Sequence, residues 1–164
     1  MRIPIGSEAL LADTLDSLSQ QVFSNWHLEI ITQMGSPDGL DEISCLNWHT
    51  VKNIDLSKEH IDFLVETKNF DWVIEIPVGA KLDPLFTWRL TIEASRHPDI
   101  FAFFVDDDCF NSSGKHLNPR FKPGANPEAL QSSDLAGPIC VRSNIWLVTG
   151  GTSQRTGSPW YPKL

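Results

Sequence analysis

The chain has 164 residues, 41% of them hydrophobic and 21% charged, which is ordinary for one globular domain with a real core. Its formal net charge of −8 argues against nucleic acid as the main partner, because phosphate binding requires clustered lysine and arginine side chains. No apolar run approaches the about 20 residues of a transmembrane segment, and Met1 to Ile5 do not resemble a signal peptide. The scattered cysteines Cys45, Cys109 and Cys140 fit reduced thiols, so we expect a cytoplasmic protein.

Strands and helices alternate in the pattern of the first part of the chain. The predicted strands cover residues 2–5, 26–34, 51–54, 70–76 and 100–105. The predicted helices cover 8–22, a segment from a cap at Ser57 to Val65, and a segment from Asp83-Pro84 to just before His97-Pro98. Strands separated by helices of this length are typical of βαβ units, so we predict an α/β fold with a mostly parallel sheet.

Two of these helices carry apolar side chains at helical spacing, which predicts a buried face on each. In the helix over 8–22 the predicted buried residues are Leu11, Leu15, Leu18 and Val22. In the helix that begins at Asp83 the predicted buried residues are Leu85, Trp88 and Ile92. Each stripe indicates that its helix packs against the sheet.

An acidic trio follows the apolar run over 100–105. Because this run does not alternate, it is typical of a strand covered on both faces. Asp106, Asp107 and Asp108 come directly after it, where open α/β sheets bind their ligands. A divalent cation or a ring of donors would relieve their mutual repulsion. A solvated acidic turn that ends the strand explains the same residues equally well.

The remainder of the chain is less regular. Residues 111–114 predict a turn, and the three prolines within 119–127 predict an extended, irregular stretch. Two short strands are predicted at 135–142 and 145–149. The segment 150–164 is rich in Gly, Ser, Thr and Pro, which is typical of a loop or a poorly ordered terminus. We therefore predict one domain over 1–150, followed by a flexible tail over 151–164.

Several stretches carry, in the same order, motifs of one enzyme family. The stretches are I-P-I-G-S-E-A-L-L-A-D-T-L-D-S-L-S-Q at 3–20, N-W-H-L-E-I-I-T at 25–32, F-V-D-D-D-C-F-N-S-S-G at 104–114 and F-K-P-G-A-N-P-E-A-L-Q-S-S-D-L-A-G at 121–137. They resemble the family 2 glycosyltransferases, which are inverting enzymes with the GT-A fold. Similarity is closest to the branch of O-antigen and polysaccharide transferases.

The resemblance implies a fold and a chemistry. The fold is a three-layer GT-A domain over 1–150, clipped at both ends, with a mostly parallel central sheet and helices on both faces. The reaction moves a sugar from a nucleotide-sugar donor to a hydroxyl of a glycan acceptor in polysaccharide synthesis. In such enzymes a carboxylate deprotonates the acceptor. A divalent metal, Mg²⁺ or Mn²⁺, neutralises the departing diphosphate.

The resemblance also assigns candidate site residues. The candidate donor-binding residues are Pro4, Gly6, Glu8 and Thr32. The first three lie in the loop that approaches the nucleotide, and Thr32 lies where the family often has an aspartate on the nucleobase. An ordinary turn and helix start explains Gly6 and Glu8 equally well. Asp106 and Asp108 are the candidate catalytic residues, and the whole acidic trio is a candidate metal site.

Two departures from the family pattern put catalysis in question. The metal-binding Asp-x-Asp falls on Pro77-Val78-Gly79, which has no side-chain oxygen for Mg²⁺ or Mn²⁺. Beyond Gly150-Gly151, where the family continues to its acidic catalytic motif, residues 152–164 contain no Asp or Glu. One hypothesis is a glycosyltransferase domain that is metal-independent, completed by residues outside this chain, or formerly active. The other is a non-catalytic binding or assembly domain of a larger polysaccharide-synthesis protein. Further domains or a second copy of the chain are the expected protein partners.

Overall fold

The structure, a computed structural model, describes residues 1–54, 58–111, 113–122 and 138–149. Its strands are β1 (Arg2–Ile3), β2 (Leu28–Thr32), β3 (Leu46–Thr50), β4 (Trp72–Ile74), β5 (Ala102–Phe104), β6 (Asp107–Phe110), β7 (His116–Arg120) and β8 (Ile139–Arg142). Its helices are α1 (Leu11–Ser19), α2 (Lys58–Lys68), α3 (Phe86–Arg96) and α4 (Ser143–Thr149). None of the helices in these ranges is long and apolar enough to cross a membrane. The predicted α/β fold with a parallel sheet is confirmed.

Contacts divide the chain into two compact units. The first unit consists of Met1–Phe63 and Ile76–Ile100. The second consists of Leu64–Glu75 and the chain from Phe101 onward. The boundary falls within α2, so the N-terminal half of this helix belongs to the first unit.

The first unit contains a parallel sheet in the order β1-β2-β3. β2 is the central strand, and four of its five residues are buried, as expected for a strand covered on both faces. Ile3 pairs with Thr32, and Thr32 pairs with Thr50. The last residues of the three strands therefore lie side by side and form one edge, which we call the carboxyl edge.

The core of the first unit is built from α1 and the three strands. Its buried members are Ile3, Leu11, Leu18, Leu28, Ile30 and Leu46. Leu11 and Leu18 confirm the predicted stripe of the first helix, and Leu15 packs against the same cluster. The prediction for Val22 is wrong, since its side chain is 66% exposed. The reason is that α1 ends at Ser19, so the helical spacing no longer applies at Val22.

A buried glutamine joins the end of α1 to the start of α3. Gln21 donates through Nε2 to the carbonyl oxygen of Asp83 at 2.8 Å, and its Oε1 accepts from the N–H of Thr87 at 3.0 Å. The helix predicted from Asp83-Pro84 is confirmed, but its predicted start is two residues too early, because α3 begins at Phe86. Asp83 lies in the turn before the helix and accepts from the N–H of Leu85 through Oδ1 at 2.9 Å. The predicted stop is also confirmed, because α3 ends at Arg96.

Trp88 lies on α3 but outside the core, since 45% of its side chain is exposed. The prediction that Trp88 belongs to a buried face is therefore wrong, and no residue of α3 is fully buried. The reason lies in the neighbouring residue. The hydroxyl of Thr87 donates to the carbonyl oxygen of Phe23 at 2.6 Å, which turns the Thr87 flank of the helix inward. Trp88 follows one position later and is rotated away from that flank.

We expect Trp88→Ala to lower the free energy of unfolding by about 1 to 2 kcal/mol. Truncation of a core tryptophan to alanine costs about 3 to 5 kcal/mol. The side chain is about half exposed, so truncation removes only part of the buried contact area. Urea unfolding of the variant and the wild type measures the difference. A loss above about 3 kcal/mol would show that Trp88 is a core residue after all.

The second unit contains a sheet in the order β4-β8-β5, in which β8 runs antiparallel to both neighbours. The strand predicted over 100–105 is confirmed at β5, but the prediction that it is parallel and covered on both faces is wrong, because β5 pairs antiparallel with β8 and none of its residues is fully buried. Cys140, in β8, is 1% exposed, and burial raises the pKa of its thiol to about 12. Trp146, in α4, is 3% exposed and is the largest buried side chain of this unit among the described residues. β6 and β7 form a separate antiparallel hairpin.

Two predicted strands are wrong. The strand predicted over 51–54 lies earlier, at β3, because Leu46 is the residue that enters the core. The strand predicted over 145–149 is the helix α4. Its start is stabilised by Asn144, whose Oδ1 accepts from the N–H of Ile145 at 2.9 Å, and by Ser143, whose hydroxyl donates to the carbonyl oxygen of Phe70.

Other predictions of local structure are confirmed or lie outside the described residues. The strand predicted over 135–142 is confirmed for Ile139–Arg142. The turn predicted at 111–114 is confirmed by the N–H of Gly114, which donates to the carbonyl oxygen of Asn111 at 2.9 Å. Residues 135–137, the helix cap predicted at Ser57 and the tail over 151–164 lie outside the described residues.

Candidate functional site

The predicted donor-binding residues lie at the carboxyl edge of the first unit or directly after it. Pro4 follows β1, and Thr32 ends β2. Gly6 lies in the turn that leaves β1, and Glu8 begins the short 3-10 helix Glu8–Leu10 that follows it. Because parallel strands end at the same edge of a sheet, these positions share the edge at which α/β proteins bind ligands.

The loop after β1 is a tight turn that Glu8 closes. The N–H of Ser7 donates to the carbonyl oxygen of Pro4 at 3.1 Å, and Gly6 has a φ of +90°, which favours glycine. The Oε1 atom of Glu8 accepts from the N–H of Gly6 at 3.0 Å. This hydrogen bond, followed by one from the backbone N–H of Glu8 itself, lowers the pKa of the Glu8 carboxyl below its ordinary value of 4.5. The turn therefore presents an exposed, ionised carboxylate beside an open glycine.

The side chain of Thr32 lies in the protein interior. Its side chain is fully buried, and its hydroxyl donates to the carbonyl oxygen of Ile3 at 3.1 Å. The hydroxyl oxygen of Thr32 also accepts a hydrogen bond from the N–H of Met34 at 3.3 Å. A hydroxyl that donates and accepts within the protein and is fully buried is not accessible to a nucleobase. The geometry therefore gives Thr32 a structural role, in which it ties β2 to β1.

The Pro77–Gly79 loop packs against the core of the first unit. Val78 lies against the buried cluster that contains Ile3 and Leu11. The N–H of Gly79 donates to the hydroxyl of Thr14 at 2.9 Å. This loop, which corresponds to the metal-binding loop of the resembled family, therefore packs an apolar side chain against the core.

The acidic trio takes protein partners on the β6–β7 hairpin. Asp106 Oδ1 accepts from the backbone N–H of Lys122 at 2.7 Å. Asp107 accepts from Nε of Arg120 at 2.5 Å and from Nζ of Lys122 at 3.1 Å. Asp108 Oδ2 lies 2.7 Å from Nδ1 of His116. The protein itself therefore supplies hydrogen-bond donors to all three carboxylates. The trio leads into the paired strands β6 and β7, and not into a simple turn.

A metal ion requires several ligand oxygens that converge on one point. The carboxylates of the trio are instead directed to separate donors, and Pro77-Val78-Gly79 has no side-chain oxygen. Within the described ranges no group of three or more His, Cys, Asp or Glu side chains is arranged to hold a metal. The residues present do not fit Mg²⁺ or Mn²⁺ at either motif, and we derive no chemistry from a bound metal.

Comparisons with known proteins identify the fold. No family model matches the chain, and a search of curated proteins finds no significant match. Among solved structures, the chain is similar to the crystal structure of S. aureus TarS 1–349, a GT-A glycosyltransferase, with a TM-score of 0.61 and 12% sequence identity. The chain has a GT-A-type fold. The match covers 90% of this chain and 48% of TarS 1–349, so the chain spans about half the length of that protein.

This GT-A-type fold also contains a polar cluster that the sequence patterns did not reveal. Its members, which we call the Glu29 cluster, are Glu29, Asn47, His49 and His60. They come from β2, β3 and α2, and Glu29 accepts a hydrogen bond from Asn47 at 2.9 Å. One signal was available in the sequence, because Glu29 interrupts the apolar strand L-E-I-I-T. A half-buried carboxylate in such a strand requires polar partners on the neighbouring elements.

Proposed function

We propose that this chain is a family 2-like glycosyltransferase domain that binds a nucleotide-sugar donor, for transfer of the sugar to a glycan acceptor. The observation that carries the proposal is the similarity in fold to TarS, which extends over 90% of the chain. The order of the family motifs along the sequence supports it independently. Membership of family 2 and action in the cytoplasm are parts of the same proposal.

The carboxyl edge is the proposed donor site. Its exposed turn contains Gly6, where a ligand can approach the backbone closely because no other group lies within 4 Å of the space that a side chain would fill. The Glu8 carboxylate accepts the hydrogen bond that the N–H of Gly6 donates, and it stays ionised at neutral pH. A carboxylate repels a diphosphate but accepts hydrogen bonds from hydroxyl and amine groups. We therefore assign this turn to the ribose or the nucleobase of the donor rather than to its phosphates.

Two forms of the proposal differ in catalysis. In the first, Asp106 and Asp108 are the catalytic carboxylates and no ion is held at Pro77–Gly79. In the second, the domain binds or assembles without transferring sugar, as part of a larger polysaccharide-synthesis protein. A specific observation favours the second form: the loop at which a metal-dependent enzyme would hold its ion packs on the core through Val78, the residue between the two aspartate positions.

Donor binding is tested by thermal unfolding or calorimetry of the full chain with UDP-, GDP- and dTDP-sugars, each with Mn²⁺ and with EDTA. A donor present at 100 times its Kd should stabilise the protein by about 2.7 kcal/mol. The stabilisation should be the same in EDTA, because the Pro77–Gly79 loop has no side-chain oxygen for Mn²⁺. The absence of stabilisation by every nucleotide sugar would contradict the proposal.

A pair of glycine variants provides the matched control for the site. Gly6 and Gly114 are both exposed, with φ of +90° and +76°, and an added Cβ meets no atom within 4 Å at either position. Gly6→Ala and Gly114→Ala should therefore carry a similar backbone strain of about 1 to 2 kcal/mol. We expect only Gly6→Ala to weaken donor binding, by about tenfold or more. Equal donor affinities in the two variants would show that the Gly6 turn is not part of the donor site.

The two forms are separated by a turnover assay. Release of the nucleoside diphosphate in the presence of a glycan acceptor supports the catalytic form. Binding of the donor without release supports the non-catalytic form.

A further inference from the structure

The Glu29 cluster lies where the first turn of α2 meets the sheet of the first unit. Glu29 Oε1 accepts from Nδ2 of Asn47 at 2.9 Å, and Oε2 lies 2.6 Å from Nε2 of His49. The side chains of His49 and Glu29 are only 20% and 13% exposed. Both carboxylate oxygens of Glu29 are thus engaged within the sheet. Neither is directed to a group on the helix in the described structure.

His60 completes the cluster from α2. Its ring lies edge-on to that of His49, with the ring centroids 4.8 Å apart and an angle of 65° between the planes. Its Nε2 atom is buried and has no hydrogen-bond partner within the described residues. A proton on that nitrogen would have no acceptor in the part of the chain that the structure describes. The neutral ring, with a bare lone pair on Nε2, is therefore the form that fits this position.

Among the groups that face His60, only Glu29 favours a positive charge, and its effect is the smallest. Glu29 on β2 already bonds two partners, and His49 on β3 disfavours a positive charge on the neighbouring ring of His60. Burial lowers the pKa of His60 below its ordinary value of 6.5, His49 lowers it further, and Glu29 opposes both effects. Along α2 itself, the adjacent charged side chains are Glu59 and Asp62.

We propose that the Glu29 cluster is an acid-sensitive contact, in which protonation of His60 releases the first turn of α2 from β3. Above pH 6.5 the imidazole is neutral and the edge-on contact with His49 holds the helix start against the sheet. In acid the imidazolium leaves its buried position, because water is the acceptor that the cluster does not provide. The contact lies on β2 and β3, whose carboxyl ends form the carboxyl edge, but the proposal does not depend on donor binding.

The direction of the pH dependence follows from linkage. The pKa of His60 is lower in the folded chain than in the unfolded chain, so the unfolded chain takes up the proton first as the pH falls. The contribution of His60 to stability is complete above pH 6.5. It declines as the pH falls from 6.5 to the folded pKa. One proton is involved, so the unfolding equilibrium constant rises by at most about tenfold per pH unit.

The test compares the full-length wild type with His60→Phe in urea unfolding between pH 8 and pH 5.5. Phenylalanine keeps a ring at the edge-on contact but does not titrate and has no unsatisfied nitrogen. We expect the ratio of the two unfolding constants to change several-fold between pH 7.5 and pH 5.5. The control is His97→Phe, at a histidine that is 53% exposed, and it should retain the pH dependence of the wild type. A His60→Phe variant with the same pH dependence as the wild type would overturn the proposal.

A measurement on the wild type alone keeps the proposal testable if the variant does not fold. In an NMR titration of the histidine rings, we expect the midpoint of His60 to lie below 6.5. We also expect amide exchange in the first turn of α2, corrected for the intrinsic effect of pH, to accelerate across the same midpoint. A midpoint at or above 6.5, or exchange that does not follow it, would refute the acid-sensitive contact.

Discussion

Replacement of Ile30 by alanine will lower the free energy of unfolding by about 2 to 5 kcal/mol. Ile30 lies in the middle of β2, the central strand of the parallel sheet, and its side chain is 0% exposed. It packs in the cluster that joins α1 to the three strands. Truncation removes buried methyl and methylene groups and leaves a cavity that a strand bonded on both sides cannot close by moving.

Ile5→Ala is the matched control, because it removes the same atoms from a side chain that is 67% exposed. We expect it to change the free energy of unfolding by less than about 0.5 kcal/mol. Urea unfolding of both variants and the wild type gives the two differences. A similar cost for the two substitutions would mean that the core does not centre on β2.

Asp107→Asn will cost about 3 kcal/mol, the second largest effect that we expect. The Asp107 carboxylate is 15% exposed and lies between Arg120 and Lys122, and the Lys122 side chain is 3% exposed. The amide keeps the shape of the side chain but removes the negative charge 3.1 Å from the Lys122 ammonium. Breaking such a pair is costly because the remaining charge stays desolvated.

Asp108→Asn is the comparison within the same trio. Asp108 is 34% exposed and its partner His116 is 76% exposed, so solvent screens the pair. We expect a loss below about 1 kcal/mol, measured by the same unfolding experiment. Because this variant remains folded, a turnover assay on it tests the catalytic assignment of Asp108 separately from stability. Equal destabilisation of the two variants would show that the buried pair around Lys122 is not the distinguishing feature.

The sequence predicts those parts of the fold that local pattern determines. Leu11 and Leu18 are spaced for one helical face, and the interior of α1 follows that spacing. Asp83 precedes a proline, and its carboxylate does accept a backbone hydrogen bond at the entrance to α3. These features depend on neighbours a few residues away, so the sequence contains the information directly.

Other elements are decided by distant contacts. The stretch Ile145 to Thr149 is rich in β-branched residues and reads as a strand, but burial of Trp146 and the bond between Ser143 and Phe70 favour a helix. The antiparallel direction of β8 between β4 and β5 is also a property of the whole chain. No local pattern around Ile139–Arg142 specifies its neighbours.

The candidate site was predictable in position but only partly in chemistry. The ends of β1 and β2 locate Pro4 and Thr32 at one edge of the sheet. Period-two alternation also places Thr32 on the same face as Leu28 and Ile30, which would have indicated its burial. The Glu29 cluster was not predictable as a unit, because His60 reaches it from a helix that begins 26 residues after β2 ends at Thr32.

The packing of Gly79 leaves little space for a side chain at this position. Gly79 has a φ of +87°, and a Cβ at this position would lie 3.2 Å from Cβ of Leu10. An aspartate there would carry the penalty of a left-handed backbone, about 1 to 2 kcal/mol, and would press against a neighbouring side chain at its rigid base. A metal-binding aspartate at position 79 would therefore require Leu10 to give way by a few tenths of an ångström, in addition to that backbone penalty.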